Sequence, residues 1–210
     1  LNAIKNSLLV ATVVSLLSIA VAYPTAYTLA RTKFRGRRVL SKAVLFTYML
    51  PTSVLYIPLY ILVARLGLTN TLWGLILIYP TFTLPYVAWI LIPHVQSIPV
   101  ALEEAAMMDG CSHFMIMYRI IFPLALPGII STTIFAFAMC WGEYLYALVN
   151  LTSATVQTFP LVISSLIYGD MPPWNQLMAG AIMACIPIII IYMLASSSLV
   201  GGATAGGVKQ

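Results

Sequence analysis

Carboxylates are nearly missing from this chain. Asp and Glu together number five in 210 residues, and charged residues of both signs make up 7% of the sequence, against about 25% in a soluble domain. That scarcity excludes a solvated globular surface, because there is too little charge to cover one. Cysteine is scarce too. Cys111, Cys140 and Cys185 lie far apart with no Cys-x-x-Cys spacing, which excludes a disulfide framework and a thiolate metal centre and leaves three ordinary buried thiols. None of the four lysines, Lys5, Lys33, Lys42 and Lys209, stands in a Gly-x4-Gly-Lys-Ser/Thr sequence, so the chain offers nucleotide phosphates no P-loop. His-Glu-x-x-His, Gly-x-Ser-x-Gly and paired acidic motifs are also absent. His94 and His113 have no ligand partners at metal-binding spacing and read as cytoplasmic surface residues. No catalytic residue, metal site or cofactor is expected in this chain.

What the chain has in quantity is apolar sequence, 61% hydrophobic with a mean hydropathy of +1.00. Strands of a membrane barrel would alternate in pieces of about ten residues, and no such alternation occurs. Long apolar runs point instead to an all-α membrane protein. A bilayer core about 30 Å thick takes roughly 20 residues per helix, and five stretches qualify, at about 6–30, 39–64, 72–92, 124–149 and 178–200. Pro51 and Pro58 fall in the second, Pro80 and Pro85 in the third and Pro187 in the fifth. Each removes a backbone hydrogen bond, which a membrane tolerates only where neighbouring groups or a water-filled cavity replace it. Curvature for packing and a moving hinge are both open readings of these prolines.

The net charge of +5 comes largely from Arg31, Lys33, Arg35, Arg37, Arg38 and Lys42. A basic cluster can bind nucleic acid, but one wedged between two apolar spans is a topology signal marking the cytoplasmic side. Residues 65–71 then lie outside, 93–123 inside, 150–177 outside and the C-terminal tail inside. Leu1 falls outside under this scheme, and Leu1 to Ser7 lacks the charged region, short apolar core and cleavage site of a signal peptide, so a further helix ahead of Leu1, giving six spans in the full-length protein, is expected. Within 150–177, the apolar segment Phe159 to Tyr168 is flanked by turn residues including Gly169, Asp170, Pro172 and Pro173. It reads as a re-entrant or interfacial helix, with Trp174 as an interfacial belt residue.

Three of the five carboxylates sit in one inner segment, Pro99 to Pro123. Pro99 suits a first helical turn, with Ser97 upstream as a cap. Glu103 and Glu104 fall early, where the helix dipole favours them. Gly110 supplies a left-handed stop, and Ser112 caps a second helix running from His113 toward Pro123. Ala105 and Ala106 let another surface approach the backbone, while Leu102, Met107 and Met108 offer adaptable apolar contact. The same composition also suits a solvated helix whose alanines only favour helicity.

Glu104-Ala105-Ala106, three residues, Gly110, nine residues, Ile120, one residue and Phe122-Pro123 resembles the EAA loop of permease subunits in binding-protein-dependent ABC importers. Only Phe122 departs from that loop, where the family pattern has Leu. Asn6-Ser7, Ala30-Arg31 with Phe34-Arg35-Gly36, Trp141-Gly142-Glu143-Tyr144 and the tail from Leu199 to Lys209 are similar to the carbohydrate branch, in particular its maltose-type second permease subunit. Relatives usually have Asn at position 142 and Arg-Gly-Leu at 201–203. The resemblance implies a type I ABC importer transmembrane domain over 1–210, with a coupling loop at 97–123 and an extracytoplasmic loop at 150–177. It implies a multi-pass inner-membrane subunit with a cytoplasmic C-terminus, forming half of a translocation pathway for a sugar or oligosaccharide. Implied partners are a homologous second permease, two ATP-binding subunits, an extracytoplasmic substrate-binding protein and membrane lipid, with no nucleic acid. ATP and Mg would be held by the ATPase subunits, so this chain would not itself be an enzyme. Glu103, Glu104, Ala105, Ala106, Met107, Asp109 and Gly110 are the expected ATPase-coupling residues.

Substrate-pathway candidates are Tyr48, Tyr56 and Tyr60 on the proline-broken second span, and Trp141, Glu143 and Tyr144 in the fourth. An ionisable group in an apolar stretch usually faces the bundle interior or a cavity, so Glu143 reads either as a structural hydrogen-bonding group or as a sugar contact. The competing function is a secondary transporter or channel without ATPase partners. Five carboxylates, three in one loop, supply ion coupling poorly.

Overall fold

The computed structural model describes residues 1–49, 51–167 and 173–205, with side chains described through residue 195. Gly169, Asp170 and Pro172 of the 150–177 loop, and the tail from Gly206, lie outside the described residues. The first helix, α1 (Asn2–Arg31), is the axle of the bundle. Ser7, Ala11, Ser15, Ser18, Ala22, Ala26 and Ala30 are all buried on it, and this run of small residues lets α5 (Pro80–Ser97) and α8 (Phe122–Trp141) approach its backbone, the packing mode that helices use in a membrane. A polar contact adds to it: the Ser18 and Thr83 hydroxyls lie 2.7 Å apart between α1 and α5.

The second apolar stretch is broken as its prolines require. α2 (Arg37–Met49) and α3 (Tyr56–Arg65), the latter preceded by a 3₁₀ turn at Thr52–Leu55, are inclined by 87° to each other. Pro51 lies at the break, whereas Pro58 sits in the first turn of α3, where its missing N–H costs nothing. The third span is built of α4 (Leu72–Ile78) and α5 (Pro80–Ser97), capped at its start by Thr71, whose hydroxyl accepts from Gly74 N–H. The short helix α6 (Ala101–Met108) then leads to α7 (His113–Met115), a π-helical stretch at Ile116–Ile121, and α8 (Phe122–Trp141). The last three run on as one span, His113–Trp141. Two boundaries therefore differ from the sequence expectation. The helix after Ser112 does not stop at Pro123: it runs on through the π-helical stretch, where Phe122 N–H pairs with the Met117 carbonyl five residues back, and continues as α8. The fourth span ends at Trp141, and Leu145–Asn150 forms a separate helix, α9.

After α9 come α10 (Phe159–Ser164) and the long α11 (Trp174–Ala205), which packs on α8 and α10 and leaves most of its apolar flank exposed. Among the described residues, four helices are long and apolar enough to cross a membrane, five if the bent α2–α3 pair is one span. The core falls into two clusters at opposite ends. One joins the C-terminal half of α1 to α5, α6 and the π-helical stretch; the other joins its N-terminal half to α3, α4, α9 and α10.

Asn6 and Ser7 work at this second end. Asn6 Nδ2 donates to the carbonyls of Thr155 and Gln157, both at 3.0 Å, and Phe159 N–H donates to Ser7 Oγ. Asn70, the one non-glycine residue with positive φ among those described (58°), accepts from Thr152 and Ser153 N–H through its side-chain oxygen. The loop between α9 and α10 is thus tied both to the start of α1 and to the turn after α3.

Candidate functional site

The segment between α5 and the π-helical stretch is built by local chemistry. Gly110 adopts φ +82°, and the helix ends in paired bonds, Cys111 N–H to Ala106 carbonyl and Gly110 N–H to Met107 carbonyl, the Schellman arrangement that a left-handed glycine makes accessible. Ser112 Oγ accepts from Met115 N–H and caps the next helix, as its sequence position indicates. Ser97 does not cap α6. It is the last residue of α5, its hydroxyl donates back to the His94 carbonyl, and α6 starts after Val100 with no side-chain cap.

The seven expected coupling residues divide by helical phase. Glu104, Ala105, Met107, Asp109 and Gly110 are exposed, as is the neighbouring Met108, at 89%. Glu103 and Ala106, three apart on the opposite face, are buried. Glu103 is therefore no surface contact in this conformation. Its carboxylate pairs with Arg31 Nε at 2.5 Å and accepts from the Tyr27 hydroxyl at 3.0 Å. Arg31 also donates through Nη2 to the carbonyls of Val95, at 2.8 Å, and Ile98, at 2.5 Å; the Val95 oxygen accepts Ile98 N–H as well, so Arg31 is a second donor to it at the end of α5. Arg37 does the same for α1, donating to the carbonyls of Leu29 and Ala30. Two of the six cations that mark topology are thus also structural.

The pathway candidates separate into different surroundings. Glu143 lies in the break between α8 and α9, accepts from Tyr146 N–H at 2.8 Å and Ala147 N–H at 3.2 Å, and takes the Tyr79 hydroxyl at 2.8 Å. It is the cap of α9, which favours the structural reading of this residue. Trp141 is buried, donates to the Ala184 carbonyl on α11 and stacks near Phe137 and Phe159. Tyr56 meets the edge of Tyr146 at 4.4 Å, in a cluster that includes Tyr79 and Phe82. Tyr144 borders an apolar cleft of about 440 Å³ between α10 and α11. Tyr48 stands apart, beside Tyr86, and Tyr60 is partly exposed on α3. The structure therefore brings Tyr56 near the Glu143 neighbourhood and does not bring Tyr48 into it. Tyr79, which completes that neighbourhood, carried no sequence signal beyond being one aromatic among many. Among the described residues no group of three His, Cys, Asp or Glu converges on a common centre.

A bundle of four or five apolar spans with an exposed glutamate-alanine helix between two of them is matched by one family model over residues 8–201, that of the binding-protein-dependent transport system inner membrane component. The chain belongs to that family. The permease is 35% identical over 205 residues to the inner membrane ABC transporter permease protein YcjP of Escherichia coli, covering 98% of this chain and 73% of that one. It is 33% identical over 208 residues to the trehalose/maltose transport system permease protein MalG of Thermococcus litoralis, covering 98% and 74%. Among solved structures, the permease superimposes on a chain of a bacterial ABC transporter involved in the import of the acidic polysaccharide alginate, with TM-score 0.74 and 23% identity over 93% of this chain and 74% of that one. It also superimposes on a chain of the inward-facing MetNI methionine ABC transporter, with TM-score 0.79 and 16% identity over 95% and 94%. At those identities the likeness is one of fold: the permease has the ABC importer transmembrane bundle.

Proposed function

We propose that the permease forms half of the pathway of an ATP-driven importer for a sugar or oligosaccharide, and that α6 docks on an ATP-binding subunit at the cytoplasmic face. The observation that carries the docking is the two-faced build of α6. One face is anchored in the bundle through Glu103 and Ala106, and the other presents Glu104, Ala105, Met107 and Met108 to whatever lies beyond. Flexible methionines and small alanines suit a close-fitting partner cleft. The basic loop Lys33 to Arg38 lies at the same end of α1 as α6, which supports a cytoplasmic position for both and, with five spans, for the C-terminus. A carbohydrate cargo is supported by relatives that are a trehalose/maltose permease, 33% identical, and a diacetylchitobiose uptake permease of Streptomyces coelicolor, 35% identical. ATP and Mg belong to separate ATPase subunits, and a second permease and an extracytoplasmic binding protein complete the importer. Vesicles containing the assembled complex test this: ATP hydrolysis is expected to rise when binding protein loaded with maltose, trehalose or diacetylchitobiose is added outside. Hydrolysis that responds to none of these and to a loaded amino acid instead would overturn the carbohydrate assignment, and transport that persists without ATPase subunits would overturn the importer assignment.

A further inference from the structure

Tyr23, Tyr27 and Arg31 stand four residues apart on one face of α1, and each reaches a different part of the segment around α6. Arg31 holds the end of α5 through the Val95 and Ile98 carbonyls and pairs with Glu103. Tyr27 donates to the other oxygen of Glu103. Tyr23 donates at 2.6 Å to the Met117 carbonyl in the π-helical stretch, where that oxygen also accepts Phe122 N–H, and its ring packs edge-on against Tyr118 and Phe122. Tyr23, Tyr27 and Glu103 are 1%, 5% and 4% exposed. The Arg31 side chain is 9% exposed.

We infer that this buried ladder locks α6 to α1, so that a displacement imposed on α6 moves the end of α5, α1 and the start of the fourth span as one body. The inference rests on the reading of α6 as the ATPase-docking helix and assigns positioning residues to it. A short helix joined to its neighbours by two turns would otherwise pivot about them when pushed, and a push absorbed by pivoting would never reach the spans. The ladder removes that freedom at three points. The path before α6 is fixed by Arg31, α6 itself by Glu103 from two sides, and the path after it by Tyr23. Buried charge pairs contribute little net stability, because desolvation offsets their attraction, but they define geometry sharply, since any departure leaves a buried charge unpaired.

The test is a distance measurement by pulsed electron resonance on the complete importer, with Cys111, Cys140 and Cys185 replaced and spin labels at the exposed positions Ala101, at the start of α6 and outside its docking face, and Leu16 on α1. In the otherwise unaltered chain, the label-to-label distance is expected to be the same without nucleotide and in the ATP–vanadate trapped state. In Tyr27→Phe, which removes one oxygen, and in Glu103→Gln, the distribution is expected to widen about two-fold in the trapped state only. A distance that changes on trapping without any ladder substitution would overturn the inference, and that result needs no variant to fold. Equal widening with and without nucleotide would also overturn it, since a merely structural contact behaves that way. Failure of the underlying reading is separately visible: the ATPase subunits would then not co-purify with the labelled chain at all.

Discussion

Two adjacent glutamates at the start of α6 have opposite fates, and the difference is one residue of helical phase. Glu103 faces the bundle and meets Arg31 and Tyr27; Glu104 faces away. Glu103→Ala leaves Arg31 buried without its counter-charge, which costs about 3–5 kcal/mol, and is expected to lower the melting temperature of the purified permease. Glu104→Ala is expected to change stability by no more than about 0.5 kcal/mol while weakening retention of the ATPase subunits on an affinity column. Glu143 makes a similar point at the other end of the molecule. An apolar context marks it as a pathway candidate, but three hydrogen bonds to Tyr79 and the first turn of α9 occupy its oxygens. Glu143→Ala is expected to cost about 1–3 kcal/mol through unsatisfied groups, read as a lowered melting temperature, with the order of preference among transported sugars unchanged.

At the scale of elements, the turn after α6 was legible in the sequence because its causes are local. A glycine with φ +82° closes the helix and the serine two residues on opens the next. A Cβ at Gly110 would meet nothing within 4 Å, so Gly110→Ala carries only the backbone penalty of the left-handed conformation, about 1–2 kcal/mol. It is expected to lower the thermal midpoint accordingly, and Gly110→Asn by less. The apolar spans were legible for the same reason, each carrying its own composition. What escaped the sequence depends on distant partners. Ser97 looks like a cap from its neighbours, yet α5 runs through it. Arg31 reads as one cation in a topology cluster, and its role with Glu103 exists only once α1 and α6, 76 residues apart at the Tyr27 contact, are side by side. The close crossing of α5 and α8 is another such case: a Cβ at Gly128 would come within 2.7 Å of the His94 ring, so a histidine that reads as plain surface lies against a helix contact.

At the scale of the whole molecule, α1 links the two ends. Its first turns hold the loop between α9 and α10 through Asn6 and Ser7, its middle is lined with small residues against α5 and α8, and its last turns hold the segment around α6. Under the proposed docking of α6, movement imposed there is expected to reach the opposite end of the bundle through α1 without a separate relay. The claim on which the rest depends is that α6 is where the ATP-binding subunit docks. A photoreactive amino acid placed at Met108, with Ala154 in the loop at the opposite end of α1 as the control position, tests it directly in membranes holding the assembled importer. The account predicts a covalent adduct with the ATP-binding subunit from position 108 and none from position 154. An adduct absent at 108, or formed equally at 154, would contradict it.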